Sequence, residues 1–419
     1  MIRAVKGTRD ILPPSSGVWN HVERVAREVF RAYNYQEIRT PIFEETQLFA
    51  RGVGAETDIV TKEMYTFADR DGESLTLRPE NTASVIRAFI EHRLDQQPGL
   101  QKRYYLGPMF RRERPQKGRY RQFSQIGAEA IGSASAVVDA EVIEMVSEIL
   151  TRCGLTGFTI YVNSVGCKNC RPLFVEALRL RLVDVAAQLC ADCQRRAVTN
   201  PLRVLDCKIP ADQPVIDALP SIHDHLCAEC KAHSDLVLEL LGDRAIPYVV
   251  KPRLVRGLDY YTRTTFEFTH GALGAQNSIL GGGRYDGLAE ELGSKVAAPG
   301  IGFSIGEDRL VMSIEDSQPE AGRHTIDLFI VPLGAPAVRH AAGLAFDLRR
   351  RNAVVEVAAE GKLKRAMEIA NKVGARHVLI VGENEMNAGA YALKDMASGE
   401  QIAVTREQLA AKFDRSATK

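Results

Sequence analysis

The sequence has no uninterrupted apolar run of about 18 residues, the length from which a membrane-spanning helix is read. Its start, MIRAVKGTRDILPP, has no apolar signal-peptide core. Both absences lead to the expectation of a soluble, cytoplasmic protein with no membrane partner. Net charge is also lacking, because 54 Lys and Arg stand against 53 Asp and Glu to leave +1. No global field therefore draws the chain to a polyanion, and any such partner must be met by local patches. What the chain does have is material for more than one core. Its 419 residues, 45% hydrophobic and 26% charged, predict about two or three domains. The densest basic patch is RRERPQKGRYR, where Arg111, Arg112, Arg114, Lys117, Arg119 and Arg121 lie within one short stretch. Taken alone, such a run reads first as a solvated face or hairpin.

Seven of the eight cysteines fall between 167 and 230, as Cys167-x2-Cys170, Cys190-x2-Cys193, a lone Cys207 and Cys227-x2-Cys230. In a reducing compartment this pattern favours metal over disulfides, since Cys-x2-Cys brings two thiolates within reach of one tetrahedral ion. Reduced structural thiols are the competing explanation.

Helical spacing of Val18, Val22, Val25, Val29 and Phe30 predicts a first helix over about 17–33. An extended segment, YQEIRTPIFEE, is interrupted by Pro41 and leads to a helix near Gln47. LRPENTASVIRAFIEHRL reads as a strand end, a turn and a helix from Thr82. KRYYLGPMFRRERPQKGRYRQFSQIGAEAIG reads as two long antiparallel strands joined at Pro115 to Gly118. Strands and helices come in runs, which favours an α+β layout on an antiparallel sheet. Residues of about 165–250 form a helical, cysteine-punctuated insertion whose two ends leave and rejoin that sheet. A polar linker, SIEDSQPEAGRHT, follows at 313–325. Beyond it, strands and helices alternate as a separate α/β domain of roughly a hundred residues. The expected domains are 1–320, carrying the insertion, and 325–419.

Chemistry concentrates in three places. On strand parity, Arg111 and Glu113 share a face, as do Arg119, Arg121, Phe123, Gln125, Gly127 and Glu129. Such a row suits a nucleotide beside a second polar ligand: Arg for phosphate, Phe to stack a base, Gln and Glu for donors. A solvent-facing strand is the plainer alternative. GGGRYDGL at 281–288 and APGIGFSIGEDRLVM at 298–312 supply glycines that let a ligand or chain approach closely, followed by Arg309 near a helix start. LVRGLDYYTRTTFEF at 254–268 alternates like a strand but opens on Arg256, Gly257 and Asp259. A turn at Gly257 would let Arg256 reach a ligand from the loop and Tyr261 reach one from the strand.

FRRERPQKGRYRQFSQIGAE and PGIGFSIGEDRL resemble motifs 2 and 3 of the class II aminoacyl-tRNA synthetases, and YNYQEIRTPIFEE resembles motif 1. LVRGLDYYTRTTFEF and GGGRYDGL are similar to the two histidine-specific signatures of the histidyl-tRNA synthetase family. GTRDILP and LRPENT fit as well, so the resemblance spans essentially the whole chain. It implies a class II catalytic domain with a helical insertion and a C-terminal α/β anticodon-binding domain. The implied activity joins L-histidine to tRNA(His) through histidyl-adenylate, using ATP with Mg2+. By resemblance, Arg111 grips the α-phosphate and carboxylate region, Arg309 the γ-phosphate, and Phe123 stacks adenine. Glu113 and Arg119 also serve ATP, and Arg256 is the distinctive catalytic arginine. Glu80, Asn81, Thr82, Gln125, Glu129, Arg256, Tyr260 and Tyr261 surround histidine. Asn81 departs from a frequent glycine, and Asn tolerates left-handed backbone. Motif 1 implies a homodimer. NPLRVLDCK, at 200–208, also resembles the family. In the C-terminal domain Arg349, Arg350, Arg351, Lys362, Lys364 and Arg365 are candidates for the tRNA backbone.

The cysteines belong to only some members of the family. Because the insertion's ends converge, Cys167, Cys170, Cys227 and Cys230 are the tetrad expected to hold structural zinc. Cys190, Cys193 and Cys207 form a second or competing set, with His223 or His225 as an available fourth ligand. The rival to the enzyme is a non-catalytic, histidine-binding regulatory paralogue of the ATP phosphoribosyltransferase complex. Such paralogues erode the catalytic signatures and lack the final domain, whereas Arg111, Arg256, Arg309 and a C-terminal domain are all here.

Overall fold

The structure is a computed structural model and describes residues 2–55, 57–322, 325–359 and 362–415. Contacts divide the chain into two compact units, 1–322 and 323–419.

In the first unit the strands are β1 (Gln36–Glu37), β2 (Phe43–Glu45), β3 (Tyr65–Ala68), β4 (Ser74–Leu77), β5 (Gln101–Phe110), β6 (Gln122–Ile131), β7 (Thr159–Ser164), β8 (Val249–Val250), β9 (Thr262–Thr269), β10 (Ser278–Arg284) and β11 (Gly300–Gly306). Eight of them form one sheet in the order β1-β5-β6-β11-β10-β9-β7-β8. The inner pairs are antiparallel, as expected, but both end strands, β1 against β5 and β8 against β7, run parallel. Strands β2, β4 and β3 make a small separate sheet.

The helix Ser15–Ala32 forms because Val18, Val22, Val25, Val29 and Phe30 recur on one side, and all are buried. It covers one face of the large sheet together with helices Ala136–Arg152, Ala228–Asp243 and Glu307–Ser317, sharing a core with Ile126, Phe266, Phe303 and Ile305. Helix Thr82–Glu91 packs against the other face through Val85, Ile86 and Phe89, beside Tyr105 and Met109. At about 25 cal/mol per Å2 of apolar area, each such fully buried side chain contributes on the order of 1.5–3 kcal/mol.

Two expectations change here. The insertion has its own core, built on Phe174, Leu178, Leu182, Cys193, Val204 and Leu205. Its last helix, Ala228–Asp243, instead buries Val237 and Leu241 in the core under the main sheet. The polar stretch from 313 is not all linker, because helix Glu307–Ser317 continues through it on Leu310, Val311 and Ile314.

In the second unit, β12 (Ile326–Pro332), β13 (Val355–Val357), β14 (Ala375–Val381), β15 (Ala390–Asp395) and β16 (Gln401–Thr405) form a sheet in the order β13-β12-β14-β15-β16. The first three are parallel and the last two antiparallel. Helices Ala335–Arg349 and Arg406–Lys412 cover one face and Leu363–Lys372 the other. This is why β12 is buried along its whole length. Among the described residues no helix is long and apolar enough to cross a membrane.

Candidate active site

The registers of the central strands build a floor of small residues. Glu267 of β9 stands opposite Gly281 of β10, Gly281 opposite Ser304 of β11, and Ser304 opposite Gly127 of β6. The next row on that face runs Thr265, Gly283, Gly302, Glu129. A Cβ added at Gly281 would lie 1.8 Å from Nη2 of Arg256, and one at Gly302 would lie 1.7 Å from Oε2 of Glu129. The glycines therefore hold open the positions of two ionisable side chains.

Over this floor lies a cleft of ≈ 690 Å³. Its lining brings together Glu80, Thr82, Arg111, Glu113, Arg119, Phe123, Gln125, Arg256, Tyr260, Tyr261 and Arg309. One end is cationic. Arg111 donates through Nε to the Pro79 carbonyl at 2.9 Å and lies 5.3 Å over the Phe123 ring. Arg309 donates to the Gly118 carbonyl at 3.0 Å and the Ser278 carbonyl at 2.6 Å. Burial, then the nearby Arg119, holds its pKa below the ordinary arginine value. Glu113 bridges Arg119 at 3.2 Å and Arg111 at 3.8 Å. Arg256 reaches Oε1 of Glu267 at 2.7 Å. Burial works against its charge, but Glu267, with Tyr261 and Asp206, offsets this, so its pKa is raised.

The other end is acidic and phenolic. The Glu80 carboxylate accepts the amides of Thr82 at 2.7 Å and Ala83 at 3.0 Å, capping the helix that starts there. Burial, the larger effect, raises its pKa above the usual carboxylate value. Glu129 is fully buried and accepts from the Thr82 hydroxyl at 2.8 Å and the Tyr285 hydroxyl at 2.6 Å. Burial takes its pKa up to about 8. Tyr260 and Tyr261 are buried with ring centroids 4.8 Å apart, and Tyr285 stands edge-on to Tyr260 at 5.9 Å. Oε1 of Gln125 is buried and has no protein partner. Such an atom is costly unless a ligand satisfies it.

Several residues lie differently from the sequence expectation. Arg111, Glu113, Arg119 and Arg121 sit beyond the ends of β5 and β6, in the 111–121 connection, rather than on strand faces. Tyr260 and Tyr261 precede β9. Arg263, at φ +48°, and the register shift between Gly283 and Arg284 break the alternation there. Tyr261 therefore reaches the cleft from a turn, not from the strand. Asn81 is absent from the cleft lining: its Oδ1 accepts from Thr40 at 2.6 Å and Arg78 at 3.4 Å. Its φ of −122° needs no left-handed tolerance. Glu129 lies beneath the lining residues, reaching them through Thr82 and Tyr285. Tyr285 and Glu267 were missed as site residues although both stand in the quoted segments. Arg9, in the GTRDILP segment, pairs with Asp308 at 2.8 Å and covers the Tyr120 ring at 4.3 Å, tying the N-terminal stretch to this site.

In the insertion, donor atoms of Cys167, Cys170, Cys227 and Cys230 all lie within 4.8 Å of one another. Cys167 Sγ is 3.7 Å from Cys170 Sγ and 3.9 Å from Cys227 Sγ. A tetrahedral ion with Zn–S of about 2.3 Å needs sulfurs roughly 3.8 Å apart, so the set fits zinc. Burial raises the Cys167 pKa, but the amides of Asn169 and Cys170 and the thiols of Cys230 and Cys170 together bring it down to about 7. His223 is turned to Asn163 Oδ1 at 2.9 Å, and the His225 ring stands 5.8 Å from Phe174. Neither histidine joins a group of metal donors among the described residues. In the second unit Arg349 is engaged by the Val355 carbonyl and Arg351 by Asp414. Arg350, Lys362, Lys364 and Arg365 are exposed there.

A family model described as histidyl-tRNA synthetase matches residues 7–310, and one described as an anticodon binding domain matches 327–415. The chain is 72% identical over 414 residues to the histidine–tRNA ligase of Solibacter usitatus (strain Ellin6076), covering 99% of each. It is 57% identical over 423 residues to that of Koribacter versatilis (strain Ellin345), covering 98% of this chain and 95% of that protein. Among solved structures it is similar to apo histidyl-tRNA synthetase of S. aureus, with TM-score 0.81 and 38% identity over 99% of this chain and 100% of that one. A Bacillus halodurans protein described as an ATP phosphoribosyltransferase regulatory subunit/histidyl-tRNA synthetase shares the fold alone, at TM-score 0.67 and 22% identity over 91% of this chain and 98% of that one.

Proposed function

The chain belongs to the histidyl-tRNA synthetase family, and from that premise we propose how its cleft activates L-histidine with ATP and passes it to tRNA(His). A histidine carboxylate oxygen attacks the α-phosphorus of ATP, taken as its Mg2+ complex, and pyrophosphate leaves. The 3′-terminal hydroxyl of tRNA(His) then attacks the adenylate carbonyl and AMP leaves. The first step brings two anions together. Two unit charges about 4 Å apart interact by ~1 kcal/mol in water and ~4 kcal/mol at an effective dielectric of about 20, so fixed cations are the first requirement.

In this reading Arg256 and Arg111 lie along the α-phosphate and carboxylate, Arg309 takes the γ-phosphate, and Arg119 and Glu113 complete the nucleotide site. Phe123 stacks adenine. Glu80 receives the α-ammonium and Gln125 lies at the carboxylate. Tyr261 meets one imidazole nitrogen, and Glu129, beneath the lining, acts on the other through the Thr82 and Tyr285 hydroxyls it holds. A competitor lacking those nitrogens would leave buried polar groups of the pocket without a ligand partner, and sites of that kind discriminate by about 10⁴–10⁵. The single observation that carries this is the arrangement of the cleft: Arg111, Arg119, Arg256 and Arg309 at one end of a glycine floor, and a buried carboxylate–phenol group at the other.

The regulatory-paralogue alternative is not favoured, because the likeness to the ligases is full-length and high while that to the regulatory protein is one of fold. The remaining elements follow the family: a cytoplasmic homodimer whose C-terminal domain binds the tRNA anticodon. For the dimer, support comes from the small sheet, where Phe43 and Phe67 point to the same side and are 53% and 45% exposed. Structural zinc would be held by Cys167, Cys170, Cys227 and Cys230, where it would supply cross-linking rather than catalysis.

ATP–pyrophosphate exchange with each standard amino acid tests the assignment. Exchange with histidine alone is expected, and exchange with none, or with another amino acid, refutes it. Arg256→Ala should slow adenylate formation far more than it weakens histidine binding, and equal losses would contradict its role.

A further inference from the structure

The insertion holds a second set of converging donors whose fourth member is neither cysteine nor histidine. Ligand atoms of Cys190, Cys193, Cys207 and Asp212 all lie within 4.8 Å of one another. Cys193, Cys207 and Asp212 are buried, at 0%, 7% and 2% exposure. Cys190 and Cys193 flank the start of helix Ala191–Thr199, and Asp212 closes the short turn Pro210–Asp212. Both carboxylate oxygens of Asp212 accept the Cys190 amide at 3.1 Å, and Oδ2 lies 3.3 Å from Cys207 Sγ. Among the described residues no Lys, Arg or His forms an ion pair with Asp212. With no cation beside it, this buried carboxylate faces three sulfurs and takes its hydrogen bonds from the Cys190 amide and the Cys207 thiol.

We propose that Cys190, Cys193, Cys207 and Asp212 form a second structural zinc site, independent of the all-cysteine tetrad. Three thiolates and one carboxylate select a borderline-soft ion over Mg2+ or Ca2+. Zn–S of about 2.3 Å and Zn–O of about 2.0–2.2 Å are reached by a small contraction of donors already this close. An iron–sulfur cluster would spread its ligands over separate irons and needs a wider cage.

The site also braces the cleft. The segment between Cys193 and Asp212 carries Leu205, Asp206, Cys207 and Lys208 into the cleft wall, and Nη2 of Arg203 donates to the Gly257 carbonyl at 2.6 Å. From the first tetrad, Arg171, next to Cys170, donates to the carbonyls of Val165, at 3.1 Å, and of Tyr261. Each site thus anchors one end of the 256–261 wall.

Metal analysis of the full-length protein, purified under reducing conditions with zinc supplied, tests the proposal. Two zinc ions per chain are expected. Cys193→Ser should remove one and Cys170→Ser the other, so failure of either site is seen apart from the other. Asp212→Asn should weaken the second site at least about tenfold in chelator competition. Zinc-edge X-ray absorption of Cys170→Ser should give three sulfurs and one oxygen. A Cys193→Ser protein with undiminished zinc overturns the proposal, as does a wild-type chain holding no more than one ion. Should the variants fail to fold, wild-type absorption decides: a short oxygen shell beside sulfur supports the site, and an all-sulfur shell overturns it.

Discussion

Replacing Gly281 by alanine tests the candidate site at one of its two tightest approaches. The new Cβ would stand 1.8 Å from Nη2 and 2.1 Å from Cζ of Arg256, and the three nearest atoms all belong to that flexible side-chain end. The strand can therefore stay in place while the guanidinium swings away from Glu267. A guanidinium about 4 Å from a phosphate charge contributes ~4 kcal/mol at an effective dielectric of about 20, and ~2.8 kcal/mol at about 6 Å. A shift of about 2 Å thus removes ~1.4 kcal/mol, roughly tenfold in rate, and full withdrawal roughly a thousandfold. Histidine-dependent ATP–pyrophosphate exchange should fall within that range, with histidine binding changed by less than about threefold and the thermal midpoint by a few degrees. Gly281→Ala combined with Arg256→Ala should be little slower than Arg256→Ala alone, because both remove the same interaction. Wild-type exchange in the single variant, or additive losses in the double, would refute the idea that Gly281 exists to seat Arg256.

Burial lifts the Glu129 pKa from 4.5 to about 8, so between those values the folded chain keeps a proton that the unfolded chain releases. Its contribution to stability is complete below about pH 4.5 and is lost as pH rises through about 8. Glu307, raised to about 9 by burial, adds to the same decline, so the unliganded Glu129→Gln protein should show a shallower, not absent, fall in thermal midpoint between pH 5 and 8. Asp139→Asn should cost about 3–5 kcal/mol in urea unfolding at unchanged m-value, because Asp139 and Arg284 are both fully buried and His233 also binds Asp139 at 2.7 Å. Arg203→Ala removes the bond to the Gly257 carbonyl, worth about 1.5–3 kcal/mol for a charged donor, and should slow exchange at least about tenfold while leaving zinc content unchanged.

The helices could be read from the sequence because their signal is local. Val22, Val25 and Val29 alone place one face of Ser15–Ala32 in the core. The strand order β1-β5-β6-β11-β10-β9-β7-β8 could not, because pairing between β6 and β11 joins residues about 170 positions apart and leaves no periodic trace. Composition misled at 313–317, where a polar surface side hid the buried Val311, Ser313 and Ile314 that keep the helix going. It misled again at Ala228–Asp243, whose Val237 and Leu241 pack with the main sheet rather than with the cysteine-rich insertion.

For the site, residue types were readable and geometry was not. Strand parity assigned faces from 254 to 268, but the positive φ of Arg263 and the shift at Gly283–Arg284 break the period of two between Tyr261 and the regular part of β9. A one-residue irregularity reverses every face beyond it. Asp212 carries no spacing signal of its own, because Cys-x2-Cys points to thiols and imidazoles as ligands, although it lies five residues from Cys207 and turns back toward it. Nor does the sequence reveal what holds the 256–261 segment of the cleft wall. Residues 256–261 have few bonds of their own, and the carbonyls of Gly257 and Tyr261 are taken by Arg203 and Arg171 from the insertion. Fixing those donors at sites cross-linked by metal would remove conformational freedom from the loop before substrates arrive, so less binding energy is spent on ordering Arg256 and Tyr261. On the proposed reading the cysteine-rich insertion is a positioning element for residues 256–261.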